Sequence, residues 1–257
     1  MIALAAQGRR PMVSPKRFAP FHRWDHNFFL LYVVLIWTGV CMGFGGDVIR
    51  HVQEHRPPYP LIVHVHAAAM VSWLVLLTTQ VLLIRADRRD LHRRLGLAGM
   101  ALAAVIVVLG PVTAITVHGL EFGTADSDAP FLSIQLSDIL AFAVLAGSGI
   151  LLRAHPSAHK RLMLLATLYI SDAGFARWLG GPVHGWLGDG YWPSLTGLYI
   201  GNDLLIVGLG VYDFVTRRRL HPAYMAAVPF IFGLQMTAVW LHLSPWWKPI
   251  SLRLIGH

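Results

Sequence analysis

Ionisable side chains are scarce in this chain, and several stand inside long apolar stretches. Asp138, Asp172 and Asp203 do so, as do His64, His66, His118 and His242, with Arg177 and the amides Gln135, Asn202 and Gln235 among them. A charge at the centre of a bilayer costs ~2.5–3.5 kcal/mol even on the mildest scale, so residues of this kind point to pairing or to chemistry. Carboxylates and imidazoles together could bind a divalent metal ion, relay a proton, border a haem or hold a small polar ligand. Arg177 is the expected ion-pair partner of Asp172 or Asp203, and the amides could tie helices together. One arginine cannot balance three carboxylates, so a proton or a bound cation must balance the rest. The metal-site candidates are therefore His64, His118, Asp138, Asp172, Asp203 and His242. Gln135 and Asp138 are three residues apart and share a helix face. His64 and His66 are two apart and diverge, so at most one of them faces the core.

A second pattern places histidine beside basic residues where an apolar segment begins. It occurs as Leu91-His92-Arg93-Arg94-Leu95-Gly96, as His159-Lys160-Arg161-Leu162-Met163 and as Arg219-Leu220-His221-Pro222. Such a histidine can be an ordinary interfacial residue, and Pro222 makes His221 a plain helix start. Alternatively, His92 and His159 face each other and ligate one haem iron, with basic neighbours holding the propionates.

The elements that must position these residues are membrane helices. Hydrophobic residues make up 55% of the 257 and charged ones 13%, about half the ~25% of an average soluble domain. Disorder is excluded on the same ground. With Cys41 the sole cysteine, so is a disulfide scaffold. Seven apolar segments lie at 28–44, 61–84, 95–117, 131–152, 162–179, 194–215 and 223–243; five have the full length that a ~30 Å bilayer core requires, and the first and fifth are shorter. Residues 1–27 form an N-terminal segment without the apolar run of a cleaved signal, so the first helix reads as an uncleaved anchor; 244–257 read as a C-terminal tail. Of the 21 Lys and Arg residues, 16 fall before the first segment or in alternate turns. The positive-inside rule makes that side cytoplasmic and the C-terminus periplasmic. The net charge of +8 thus reflects topology and not a nucleic-acid surface. Trp178, Trp186, Trp192, Trp240, Trp246 and Trp247 fall at outer boundaries, as in an aromatic belt. The expected fold is an all-α integral membrane protein, a seven-helix transmembrane bundle of the bacterial inner membrane, with the lipid bilayer as its first partner. In the outer half of that bundle the carboxylates would line a polar cavity.

No nucleotide-binding glycine motif and no zinc-type cysteine pair occurs, and the seventh segment lacks the lysine of a retinal Schiff base. The run His66-Ala67-Ala68-Ala69-Met70, then Trp73, Gln80, Arg85 and His92-Arg93-Arg94-Leu95-Gly96, carries a resemblance. It resembles the core of the transmembrane b-type cytochromes that reduce ferric iron or use ascorbate. It is similar too to a broad group of bacterial membrane proteins of unassigned function, which is the closer likeness. In the cytochromes four histidines on four consecutive helices hold two haems. The resemblance implies His66, His92 and His159 as cofactor-binding positions. Where the fourth histidine would stand, this chain has Gln135 and Asp138. The inner heme b is therefore the one the resemblance implies.

Three functional classes follow. One is a haem-binding electron-transfer protein or membrane redox subunit, with a redox partner. Another is a haem-free carrier, sensor or accessory subunit of a larger membrane complex, working through the outer Asp/His cavity. The last is a metal-dependent membrane hydrolase, which needs about three converging ligands. For that class no His-x-x-x-His pair lies inside an apolar segment.

Overall fold

The computed structural model describes residues 18–257, and every regular element there is helical. Arg9, Arg10, Lys16 and Arg17, part of the expected N-terminal basic cluster, lie outside the described residues. The helices are α1 (Asp25–Gln53), α2 (Leu61–Arg85), α3 (Arg89–Glu121), α4 (Leu132–Leu151), α5 (Pro156–Ile170), α6 (Asp172–Leu187), α7 (Tyr191–Arg217), α8 (Pro222–His242) and α9 (Trp247–Leu254). A single 3₁₀ turn, Ala129–Phe131, leads into α4. Six of them, α1 to α4, α7 and α8, are long and apolar enough to cross a membrane, α4 counted with the 3₁₀ turn that leads into it. The segment expected at 162–179 is instead two shorter helices, α5 and α6, meeting at Ser171.

The local chemistry explains the boundaries. Proline opens α5 and α8, where its missing N–H is no loss. His221 Nδ1 caps α8 by accepting from the Ala223 N–H at 3.0 Å. Asp87, with φ 54°, turns α2 into α3, and Arg218, with φ 56°, ends α7. At the α5–α6 junction no proline intervenes. The Ser171 N–H donates to the Leu168 carbonyl at 3.0 Å, an i to i−3 bond that tightens the last turn. The Ser171 hydroxyl donates to the Thr167 carbonyl at 2.8 Å. Asp172 Oδ1 accepts from the Ala173 N–H at 2.6 Å, so α6 starts with a carboxylate on its own first turn.

Helices α1, α2, α3, α4, α8, α7 and α6 follow one another around a ring, and α5 lies within it, against α4, α8, α7 and α6. Accordingly every residue from Leu164 to Tyr169 is buried, as expected of a helix that is apolar all round. Packing, rather than expulsion of water, holds helices together in lipid, and small residues allow the closest packing. A methyl group on Gly43 of α1 would lie 1.9 Å from the Gly174 carbonyl oxygen of α6. One on Gly201 of α7 would lie 2.4 Å from the Phe175 ring. These two glycines clamp the start of α6, and with it Asp172, between α1 and α7.

Residues 244–257 are more than a tail. They carry α9, whose following residue Ile255 packs with Ala114, Ala129 and Leu132, while Trp247 Nε1 donates to the Pro130 carbonyl at 3.0 Å.

Candidate functional site

Three polar groupings stand out: one in the middle of the ring, one at the end bearing the basic turns, and one beside it. The middle one is fixed from below by a buried layer. Trp73 Nε1 of α2 donates to Thr167 Oγ1 of α5 at 3.0 Å, and the Trp73 ring meets Phe142 of α4 edge-on with centroids 5.0 Å apart. Asp138 is four residues beyond Phe142 and Asp172 five beyond Thr167, which places both about 6–8 Å further from the basic end. Their carboxyl groups lie within hydrogen-bonding reach of each other. A carboxyl–carboxyl hydrogen bond needs a proton on one partner, because an ionised carboxylate only accepts.

Around this pair are polar groups with nothing to bond to. Tyr169 and Tyr199 lie at a tilt to each other, ring centroids 6.1 Å apart. Neither hydroxyl has a hydrogen-bond partner among the described residues, nor has Asp138 Oδ1, nor either end of the Asn202 amide. Tyr199 and Asn202 are one turn apart on α7 and both 0% exposed. Buried polar groups are nearly always bonded, so five open atoms in one neighbourhood mark a place built for something other than packing. Next to Asn202, Asp203 accepts from Gln235 Nε2 of α8 at 3.0 Å and borders a cleft of about 200 Å³ on α7.

The expected Arg177 pairing with Asp172 or Asp203 does not form. Arg177 sits 3.6 Å from Asp47, over the Phe44 ring at 4.7 Å, and donates to the Ala173 carbonyl at 3.0 Å. A carbonyl of its own helix and a carboxylate on α1 hold it instead. The six metal-site candidates are scattered as well. His64 is exposed, edge-on to Tyr59 at 6.4 Å. His118 Nε2 lies 2.8 Å from Gln135 Oε1, and His242 Nε2 3.9 Å from Asp128. Among the described residues no three His, Cys, Asp or Glu side chains converge as a metal site would need.

The cofactor-binding candidates divide. His92 and His159 do come together, ring centroids 6.3 Å apart and planes at 89°. His159 Nδ1 is 2.8 Å from the Gly149 carbonyl, which makes it the donor and leaves Nε2 as a lone pair. Gln80 Nε2 of α2 donates to the His92 carbonyl at 3.1 Å. His66 is fourteen residues from Gln80, about 21 Å along α2, and so belongs to a different level. It is half-buried, with a buried Nδ1 that has no partner. Of His64 and His66, it is thus His66 that turns inward.

Sequence reasoning missed the third grouping. Arg161 of α5 and Asp213 of α7, both 0% exposed, form a two-pronged ion pair through Nε at 2.7 Å and Nη2. Arg161 Nη1 also donates to the Ser157 carbonyl at 2.7 Å and hydroxyl at 2.8 Å. Beside them Asp25 accepts from Arg217 at 2.8 Å, Lys160 at 2.6 Å and Tyr212 at 2.5 Å. Phe18 covers Arg161 at 4.7 Å and Arg217 at 5.1 Å, and its ring meets His221 at 4.7 Å. Burial, and then the Arg161 charge, push the His221 imidazole down from its ordinary 6.5 to about 4. The signal was present in Asp213, an acid at the edge of a basic turn, but charge counting treated Arg161 as topology alone.

No protein-family model, curated protein or solved structure matches the chain. The site geometry therefore carries the functional reading by itself.

Proposed function

We propose that the chain is a multi-pass carrier that exchanges one proton for one monovalent cation at the Asp138–Asp172 pair. In this reading α5 and α6 together make one broken crossing, the seventh, with the basic end cytoplasmic and the C-terminus periplasmic in a bacterial inner membrane. The observation that carries it is the carboxyl pair at a helix break, ringed by open polar atoms. Broken helices near mid-membrane expose backbone carbonyls and helix ends that can coordinate ions. The C-terminal end of α5 and two carboxylates favour a cation. Charge balance selects a monovalent one: replacing the shared proton by a single positive charge leaves the charge of the buried site unchanged. Tyr169, Tyr199 and Asn202 would supply neutral oxygens.

The test is proton release from detergent-purified protein when sodium, potassium, ammonium or guanidinium chloride is added, followed with a pH-sensitive dye. At least one of these should release protons from the wild type and none from Asp138→Asn or Asp172→Asn. Absence of release from the wild type with all four would overturn the reading.

A second reading rests on His92 and His159. Two metal–imidazole bonds of about 2 Å, plus a ring radius on each side, come to roughly 6 Å, close to the separation of these rings. The hydrogen bond from His159 Nδ1 to Gly149 is the kind of contact that orients a ligating imidazole. In that reading His92 and His159 hold one haem b, which supplies one-electron chemistry, and the chain is a redox subunit. A dithionite-reduced minus oxidised spectrum of protein expressed with ample haem decides it. Low-spin b-type bands lost in His159→Ala support it, and a flat spectrum removes it.

A further inference from the structure

We infer that the cleft beside Asp203 is a binding site for a hydrophobic amine that enters from the bilayer. The inference goes beyond the carrier reading and does not rest on it. The cleft is lined by Leu195, Thr196, Ile200, Asp203, Leu204 and Val207. It opens on the outside of the ring, since Leu204 and Val207 on its wall are 65% and 53% exposed. Asp203 stands twelve residues from the first residue of α7 and fourteen from the last, about 18 and 21 Å along the axis. Its carboxyl is thus near the middle of the crossing, on a face that meets acyl chains.

Access without a partner charge singles Asp203 out. Asp25 and Asp213 sit in the network at the basic end. Asp47 lies 3.2 Å from Arg50 and 3.6 Å from Arg177. Asp138 and Asp172 answer each other, and Asp90 and Glu121 stand on the terminal turns of α3. Among the described residues, Asp203 is the one carboxyl inside a crossing helix with neither a cation nor a second carboxyl beside it. Gln235, 1% exposed, holds Oδ1 from the inner side at 3.0 Å. Oδ2 is neither bonded nor enclosed among the described residues.

These surroundings select the ligand. A lone carboxyl in an apolar setting holds its proton until a base or a cation reaches it. A hard metal cation takes about six or more oxygens, and the cleft offers one carboxyl and the Thr196 hydroxyl. The ammonium of a phospholipid stays at the membrane surface, about 15 Å from the middle of the hydrocarbon core. An amine with an apolar body suits the place. It crosses lipid as the neutral base and lays its hydrocarbon along Ile200, Leu204 and Val207. Its nitrogen lone pair takes the proton as the carboxyl O–H bond breaks, so the site keeps zero net charge. The ammonium then donates to Oδ2 in a charge-assisted bond, about twice as strong as a neutral one. A cleft of about 200 Å³ is smaller than the roughly 300–1,000 Å³ of a drug-sized pocket. The ligand is therefore a small amine, or one whose tail stays in the lipid.

The experiment is protection of detergent-purified protein from dicyclohexylcarbodiimide, an apolar reagent that modifies protonated carboxyls, with the adduct located by peptide mass mapping. The probe is N,N-dimethyldecylamine, a tertiary amine that an activated carboxyl cannot couple, and decanol is the uncharged control. Asp203 should be modified. Amine filling nine sites in ten should slow the modification about tenfold, while the same concentration of decanol leaves it nearly unchanged. No adduct on Asp203 overturns the inference, because the cleft is then covered by a second copy or by the chain itself. Equal slowing by amine and decanol also overturns it, because the cleft then only holds acyl chains. So does the absence of slowing by either. Modification of Asp203 is read apart from proton release at Asp138 and Asp172, so either reading can fail without the other.

Discussion

The two ends of α5 bury polar groups in opposite ways. At its start, Arg161, Asp213, Asp25, Arg217, Lys160 and Tyr212 form a network in which each charge has partners at hydrogen-bonding distance. At its end, two carboxyls face each other while two phenols, an amide and a carboxyl oxygen go unanswered. Both are costly in an apolar bundle. The difference is that the first cluster recovers its desolvation within the fold, whereas the second leaves it to be recovered by whatever binds. The first is a clamp and the second is a site.

The sharpest way to break that comparison is to remove half of the clamp. Arg161→Ala leaves Asp213 charged and enclosed, and truncating one partner of a buried pair costs about 3–5 kcal/mol. Thermal unfolding in detergent should show this, or no folded protein should be recovered. The double variant Arg161→Met, Asp213→Leu should regain much of the loss. If the single variant unfolds like the wild type, the network is not a clamp.

A middle-sized effect is expected at the α1–α6 contact, which holds Asp172 in place. In Gly43→Ala the new methyl meets the backbone of Gly174, which cannot step aside as a flexible side chain could. Overpacking of this kind costs about 1–3 kcal/mol. It should lower the unfolding temperature and weaken cation-driven proton release together. A loss of stability with undiminished release would separate the helix contact from the site.

The site itself should be cheap to alter. Asp138→Asn removes a carboxyl that no cation balances, so its stability should stay within about 1 kcal/mol of wild type or rise. That outcome, beside a large loss in Arg161→Ala, would make the contrast between the two ends quantitative. An Asp138→Asn protein as unstable as Arg161→Ala would turn the site into a second clamp.

The sequence made the helical architecture legible because apolar runs of bilayer length leave few alternatives. It also singled out Asp138, Asp172 and Asp203, since carboxylates in such runs are conspicuous. What it concealed was pairing. Arg177 looked like the partner of Asp172 or Asp203, yet Asp47, more than a hundred residues away, takes it. Arg161 and Asp213 are 52 residues apart and meet only because α5 passes through the middle of the ring. The break at Ser171 was invisible for a related reason. Ser171, Asp172 and Gly174 carry no strong stop signal, and the junction depends on side chains bonding back to the main chain. The similar settings of His92 and His159 offered their juxtaposition as an alternative to two ordinary interfacial histidines, whereas the isolation of His64 came from its place on an outward face.

The last effect lies at the edge of the clamp and appears only on acidification. His221 is held at about 4 in the fold, first by burial and then by the charge of Arg161, with Lys160 and Arg217 adding to it and Asp213 opposing. Unfolded, the same imidazole takes its proton near 6.5. Between those values the unfolded chain binds more protons than the folded one, so stability falls as the pH is lowered from about 6.5 toward 4. Above 6.5 both forms are neutral and the group contributes no slope. His221→Asn is the matched control, since asparagine can cap α8 in place of Nδ1 yet does not titrate. The variant should match the wild type near neutrality and lose less stability on acidification. Carboxylates titrating over the same interval are common to both proteins and cancel in the difference. Parallel pH profiles for the two would mean that His221 takes up its proton in the fold as readily as in water. The cations beneath Phe18 would then be better screened from it than their packing implies.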